Sequence, residues 1–294
     1  MKLLTYIHEG KQAVGVLDPA GELIIPISAL GLGYASMNDL IAGAGAEELA
    51  RLRGAASASP PGAIAFEDTL KAAPIPQPLQ DVICLGLNYL DHVSESSKFK
   101  DIGATQPPTH AIYFSKRVSE AVPDGGEIIS HMELDEQLDY EVELAAIIGK
   151  DARNVPASAA GEYIFGYTII NDVSSRALQA RHKQFYFGKS LDGFTPMGPW
   201  IVTADEFAFP PSLAVSSFVN GELRQSSSTE HMLFGLPHII AELSSGMTLR
   251  AGTIIATGTP AGVGMGFEPP KFLRRGDVVE CVIEGIGRLR NTVV

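Results

Sequence analysis

From residue 82 to the end of the chain, short runs rich in Val and Ile follow one another with few helical stretches between them. The runs are VICLGL (82–87), AIYFS (111–115), EVELAAIIG (141–149), YIFGYTIIND (163–172), PWIVTADEF (199–207), TIIATGT (253–259) and DVVECVIEGIG (277–287). Runs of this length, rich in β-branched residues and bounded by Gly, Pro, Asn or Asp, predict strands. Helical patterning is confined to 156–162, 174–182 and 229–244. An alternating βαβ fold needs a helix after each strand, so this order predicts the β-rich α+β class instead.

Before residue 75 the pattern differs. LLTYIH, QAVGVL and ELIIP are separated by turn residues and predict a small antiparallel meander. Residues 37–53 space apolar positions at helical intervals and end in Arg51 and Arg53, which predicts one helix packed on that meander. Pro74, Pro76 and Pro78 then enforce an extended connector. The expected division is a small N-terminal domain over 1–75 and a larger one over 76–294.

Composition narrows the function. With 34 acidic against 22 basic residues the formal net charge is -12, a field that repels phosphate backbones and anionic lipid. Nucleic acid and membrane are therefore not expected as partners. Cys84 and Cys281 are the only cysteines, which excludes a disulfide framework and a Cys-rich zinc site and suits a reducing cytoplasm. The opening MKLLTYIHEG has too short an apolar run for a signal peptide, and no segment reaches the length of a membrane span.

Glu141 and Glu143 lie two apart in a predicted strand, so both carboxylates emerge on one face. Asp172 ends the next apolar run, where a neighbouring strand would bring it beside them. Carboxylates gathered in this way repel unless a cation neutralises them, and oxygen-only ligands select Mg²⁺ or Mn²⁺, with Ca²⁺ also fitting. The same E-x-E spacing also fits the solvated face of a half-buried strand. His92 and Glu95, three apart, share a face if their segment is helical, which suits a general base oriented by a carboxylate and equally an ordinary surface pair. Lys189 follows a glycine in FGKSLDGF, as a group able to reach an anion or as a solvated lysine. TGTPAGVG (257–264) leaves backbone amides open to a carboxylate, or makes a tight turn after a buried strand. The polar, Gly/Pro-interrupted stretch 94–109 suits a lid.

Eight segments, taken in order, resemble the fumarylacetoacetate hydrolase family, especially its bacterial acylpyruvase-like members: CLGLNYLDHVSE (84–95), YFSK (113–116), LDYEVELAAIIG (138–149), GYTIINDVSSRALQ (166–179), GKSLDGFTPMGPW (188–200), VNGELRQ (219–225), TGTPAGVG (257–264) and GDVVECVIEGIGRLRN (276–291). The resemblance implies a mixed β-sandwich roll, usually a homodimer, around a carboxylate-bound Mg²⁺ or Mn²⁺. It places the metal ligands on Glu141, Glu143 and Asp172 and a lid dyad on His92 and Glu95. It also places an active-site lysine on Lys189, an oxyanion-stabilising glutamine on Gln179 and a carboxylate-binding loop on Thr257, Gly258 and Thr259. Leu87 stands where many members carry arginine. The expected activity is metal-dependent hydrolysis of a carbon-carbon bond in a small anionic 2,4-dioxo acid. The alternatives on the same site are a 2-oxo acid decarboxylase, a tautomerase or hydratase, and a catalytically silent Ca²⁺-binding protein.

Overall fold

A computed structural model describes residues 1–58, 61–96 and 106–294. The predicted meander forms as the strands Lys2–His8, Lys11–Leu17 and Leu23–Pro26. It does not stand apart from the strands that follow: Lys2 and Leu3 pair with Val202 and Ile201 of the strand Met197–Thr203. Among the described residues one sheet of eleven strands results. Beyond that junction it continues through Ile164–Asn171, Val142–Ile148, Ile254–Ala256 and Val82–Gly86 to Ile112–Lys116. All of these neighbours pair antiparallel except Ile254–Ala256 with Val82–Gly86. Residues 72–81 carry no helix or strand, as the prolines require. We propose that the boundary between the two units lies there, near residue 75, with the sheet continuing across both.

A second sheet of five strands packs on one face of the first. Its order runs from Glu222–Ser228 through Ala214–Val219, Val278–Ile283 and Gly287–Val293 to Glu127–Ile128. Val142, Leu144, Ala146 and Ile148 meet Val215, Val279, Cys281 and Leu289 in one core. Ala145 and Ile147, which point the other way, join a core shared with Leu3, Val16, Leu40 and Leu52. The strand Val142–Ile148 is thus buried along its whole length and on both faces. A solvated E-x-E face is ruled out by this packing, because Glu143 shares its face with Ala145 and Ile147.

The single helix expected over 37–53 is two: Met37–Gly43, capped by the Ser36 side chain, and Ala46–Ala58. The break falls in Gly43-Ala44-Gly45, where glycine's low helix propensity outweighs the apolar spacing. The helix expected over 229–244 begins at Leu236, after a 3₁₀ turn at Thr229–His231. The hairpin Ala214–Val219 and Glu222–Ser228 was not among the expected strands. Its signal was Asn220-Gly221, both at positive φ, the pair that a tight hairpin turn favours.

Candidate active site

Strand register assembles the carboxylates. Val142 pairs with Asn171 in the antiparallel ladder, the Asp172 amide donates to the Glu141 carbonyl at 2.8 Å, and the Glu141 amide donates to Asn171 Oδ1 at 2.9 Å. Glu141, Glu143 and Asp172 consequently present carboxylate oxygens within 4.8 Å of one another. All three are buried.

Three buried cations surround them. Lys189, at the end of the short helix Phe185–Lys189, places Nζ 2.9 Å from Glu141 Oε2 and 2.7 Å from Asp172 Oδ2. Lys116, wholly buried at the end of its strand, donates to Asp172 Oδ1 at 2.7 Å and to the Val173 carbonyl at 3.0 Å. Arg176 reaches Glu141 Oε1 with Nη1 at 2.7 Å and Asp139 Oδ2 with Nε at 2.9 Å. Burial works to raise the Glu141 pKa, but Lys189 and Arg176 outweigh it and hold the carboxyl at about 2. Glu143 goes the other way: burial, then the negative charges of Asp172 and Glu141, push its pKa well above the usual carboxylate range. Burial also lowers the Lys116 pKa, against the opposing pull of Asp172.

The donor set fits a hard divalent cation. Glu143 Oε2 accepts the Gly258 amide at 2.8 Å, while Glu143 Oε1 is buried with no partner among the described residues. A buried, unpaired carboxylate oxygen beside two further carboxylates is costly unless it is protonated or bound by a cation. Mg²⁺ or Mn²⁺ on Glu141, Glu143 and Asp172 would remove that cost.

His92 and Glu95 lie on the seven-residue helix Leu90–Ser96, a helix not among those expected, which supplies the condition under which their spacing brings them together, with Nδ1 and Oε2 3.1 Å apart. A cleft with about 430 Å³ of empty space, part of it open to solvent, brings His92 together with Glu141, Lys189, Gln179, Arg176 and Thr259. Its opposite character comes from Leu87, Phe114, Phe185 and Met265. The Phe114 and Phe185 rings meet edge to face at 5.4 Å, and Lys189 Nζ sits 5.1 Å from the Phe114 centroid. Leu87 adopts φ +52°, a left-handed conformation uncommon for a residue with a Cβ.

Of the predicted loop, Thr259 lines this cleft. Thr257 turns its amide and hydroxyl to the Leu144 carbonyl at 3.0 and 2.8 Å, and the Gly258 amide is directed to Glu143. Gln179 Oε1 accepts Arg176 Nη1 at 3.2 Å. Residues 97–105, most of the expected lid, lie outside the described residues.

Sequence reasoning assigned no role to Lys116, Arg176, Asp139 or Gln225. Gln225 is wholly buried and donates to Thr259 Oγ1 and the Pro260 carbonyl at 2.7 and 2.8 Å, while its Oε1 accepts the Val142 amide at 3.1 Å. It ties the 257–260 loop to the strand that carries Glu143. The signal available for Lys116 was a charge directly after an apolar run, YFSK.

Known proteins converge on the same region. Residues 81–294 match the model of the fumarylacetoacetate hydrolase C-terminal domain. The oxaloacetate tautomerase YisK of Bacillus subtilis is 49% identical over 221 residues, which cover 75% of this chain and 72% of that protein. A fumarylacetoacetate hydrolase from the psychrophilic Exiguobacterium antarcticum is similar in structure with a TM-score of 0.82 and 40% identity, over 100% of this chain and 99% of that one. Maleylpyruvate hydrolase from Sphingobium sp. SYK-6 gives 0.76 and 30%, over 100% and 99% of the two chains. A sequence match across most of the chain, joined to a shared fold, establishes that this chain belongs to the fumarylacetoacetate hydrolase family.

Proposed function

We propose that the chain is a divalent-metal-dependent enzyme that interconverts the keto and enol forms of a small 2-oxo dicarboxylic acid of the oxaloacetate type. The observation that carries this reading is the joint presence on one cleft of His92, backed by Glu95, and the buried Glu141–Lys189 pair. A bound Mg²⁺ or Mn²⁺ supplies positive charge that favours an enolate over its parent ketone. His92 Nε2 takes the proton from C3 of the substrate while Glu95 holds the Nδ1–H and so selects the tautomer. Lys189 donates a hydrogen bond to the oxygen developing negative charge at C2, and Gln179 supports the same oxygen. Delivery of the proton held on His92, through solvent in the cleft, to that oxygen completes the enol with no net proton change, and the reverse transfer to C3 regenerates the ketone.

Arg176 supports a dicarboxylic substrate. Its Nη2 is buried without a partner among the described residues, on a side chain that lines the cleft, a donor suited to a second carboxylate. Similarity to the Bacillus subtilis oxaloacetate tautomerase favours the same class. The apolar wall of Leu87, Phe114, Phe185 and Met265 favours a second reading, hydrolytic cleavage of an acylpyruvate whose acyl group packs there. In that reaction His92 takes a proton from water, which attacks the distal carbonyl.

The test is a panel of oxaloacetate, acylpyruvates and fumarylpyruvate, each with Mn²⁺, scoring enol absorbance, pyruvate and CO₂ separately. Equilibration of enol-oxaloacetate without pyruvate or CO₂ is expected. Release of pyruvate with a carboxylic acid from an acylpyruvate, and no effect on enol-oxaloacetate, would establish the hydrolase in its place. The homodimer and the cytoplasmic setting belong to the same proposal, the first being read from the mass in solution.

A further inference from the structure

The loop of residues 262–266 (GVGMG) touches two carboxylates that serve different parts of the cleft, the half-buried Glu95 and the buried Asp139. The Gly262 amide donates to Glu95 Oε1 at 3.0 Å, opposite the oxygen that meets His92. The Gly264 and Met265 amides donate to Asp139 Oδ1 and Oδ2 at 2.6 and 3.0 Å, and Asp139 in turn holds the Arg176 Nε. A Cβ added to Gly266 would overlap the Glu95 carboxylate, so the missing side chain is the space that the carboxylate fills. The loop is itself pinned from behind. Tyr140 donates its hydroxyl hydrogen to the Gly262 carbonyl at 2.9 Å, and the Lys271 amide donates to the Gly264 carbonyl at 2.8 Å.

An i,i+3 contact on a helix of seven residues does little by itself to fix a glutamate rotamer, since such pairs contribute only about 0.2–0.5 kcal/mol. A backbone amide and a wall with no side chain restrict it far more. We propose that the 262–266 loop is the positioning element of the His92–Glu95 pair: it sets the Glu95 carboxylate, and through it the imidazole, while the same loop orders Arg176 through Asp139. One rigid segment thereby keeps the proton-transferring group and the cleft cation in register. This inference rests on the reading of His92 and Glu95 as the proton-transferring pair.

The experiment is a double-mutant cycle of Gly266→Ala with Glu95→Gln, on the substrate turned over in the panel above, with Mn²⁺ affinity measured directly for each variant. The added methyl meets only the far end of a flexible side chain, so Glu95 moves and the fold persists. Gly266→Ala is expected to lower kcat by about 10–100-fold, as loss of an orienting contact does, and to leave Mn²⁺ affinity within about twofold. In the Glu95→Gln background the same change should cost less than about threefold, because the group it acts through is already altered. Tyr140→Phe, which removes the hydrogen bond to the Gly262 carbonyl, should reproduce the effect at roughly 3–10-fold. Unchanged kcat in Gly266→Ala, while Glu95→Gln is impaired, overturns the loop's role and leaves the pair intact. Full activity of Glu95→Gln removes the pair and the inference with it. Equal losses from Gly266→Ala in both backgrounds, matched by lost Mn²⁺ affinity, would mark general damage and also overturn the proposal.

Discussion

The N-terminal end of the long sheet and its centre are buried to the same degree by opposite means. Around Lys2–His8 and Lys11–Leu17 the packing is apolar: Leu3, Val16, Leu40 and Leu52 are all wholly or nearly wholly inaccessible. At the centre, Glu141, Glu143, Asp172, Lys116, Lys189 and Arg176 are buried as deeply. Apolar burial is favourable at about 25 cal/mol per Å² and depends little on which neighbour supplies the contact. Ion burial costs several kcal/mol per charge and is recovered only when each group has its partner in place. The centre therefore needs exact register among five separate segments, whereas the end needs only shape. Among the described residues Glu143 Oε1 is the unpaired oxygen of that centre, and it is where a cation fits.

If this contrast holds, substitutions in the two regions separate activity from stability. Glu143→Ala should show the largest effect: metal-dependent turnover falls by roughly 10²–10³ or more, and Mn²⁺ no longer raises the melting temperature. Unchanged turnover in that variant would displace the metal site. Lys116→Met removes a cation from Asp172 and should cost roughly 3–5 kcal/mol in urea unfolding of the metal-free protein, less when Mn²⁺ is present. Equal losses with and without Mn²⁺ would mean that lysine and metal do not share the carboxylate. At the apolar end, Leu52→Ala should cost a similar roughly 2–5 kcal/mol while leaving kcat and Mn²⁺ affinity unchanged. A change in Mn²⁺ affinity there would show that the two regions are coupled.

The smallest effect sharpens the contrast from within the N-terminal region. Asp18 accepts the Leu23 and Glu22 amides at 2.9 and 2.7 Å, and these hydrogen bonds, that of Leu23 first, hold its carboxyl below the ordinary value. A depressed carboxyl stabilises the fold above its ordinary pKa and loses that contribution as pH falls through the folded value. Asp18→Ala should therefore cost about 1 kcal/mol at neutral pH, with the difference vanishing in acid unfolding experiments.

Much of the fold was legible because it depends on local pattern. The strand runs and the meander follow from alternation and β-branched content, whereas the His92–Glu95 contact needed a helix over 90–96 that the apolar pattern did not predict. The patterns failed where local signals conflicted, as at Gly43-Ala44-Gly45, or where a turn signal went unread, as at Asn220-Gly221. The carboxylates of Glu141 and Glu143 were expected on one face from spacing alone, but whether that face met water or protein was not a local property. It was decided by the second sheet and the N-terminal helices closing on both sides of Val142–Ile148. Lys116, Arg176, Asp139 and Gln225 acquire their roles in the same way, since each acts across a long stretch of sequence on a partner that only strand register brings near. Pattern and composition thus determined the class of fold and the carboxylate chemistry of the candidate metal site. Tertiary structure alone decided which charges are partnered, because the cost of burying a charge depends on distances between segments that the sequence does not place side by side.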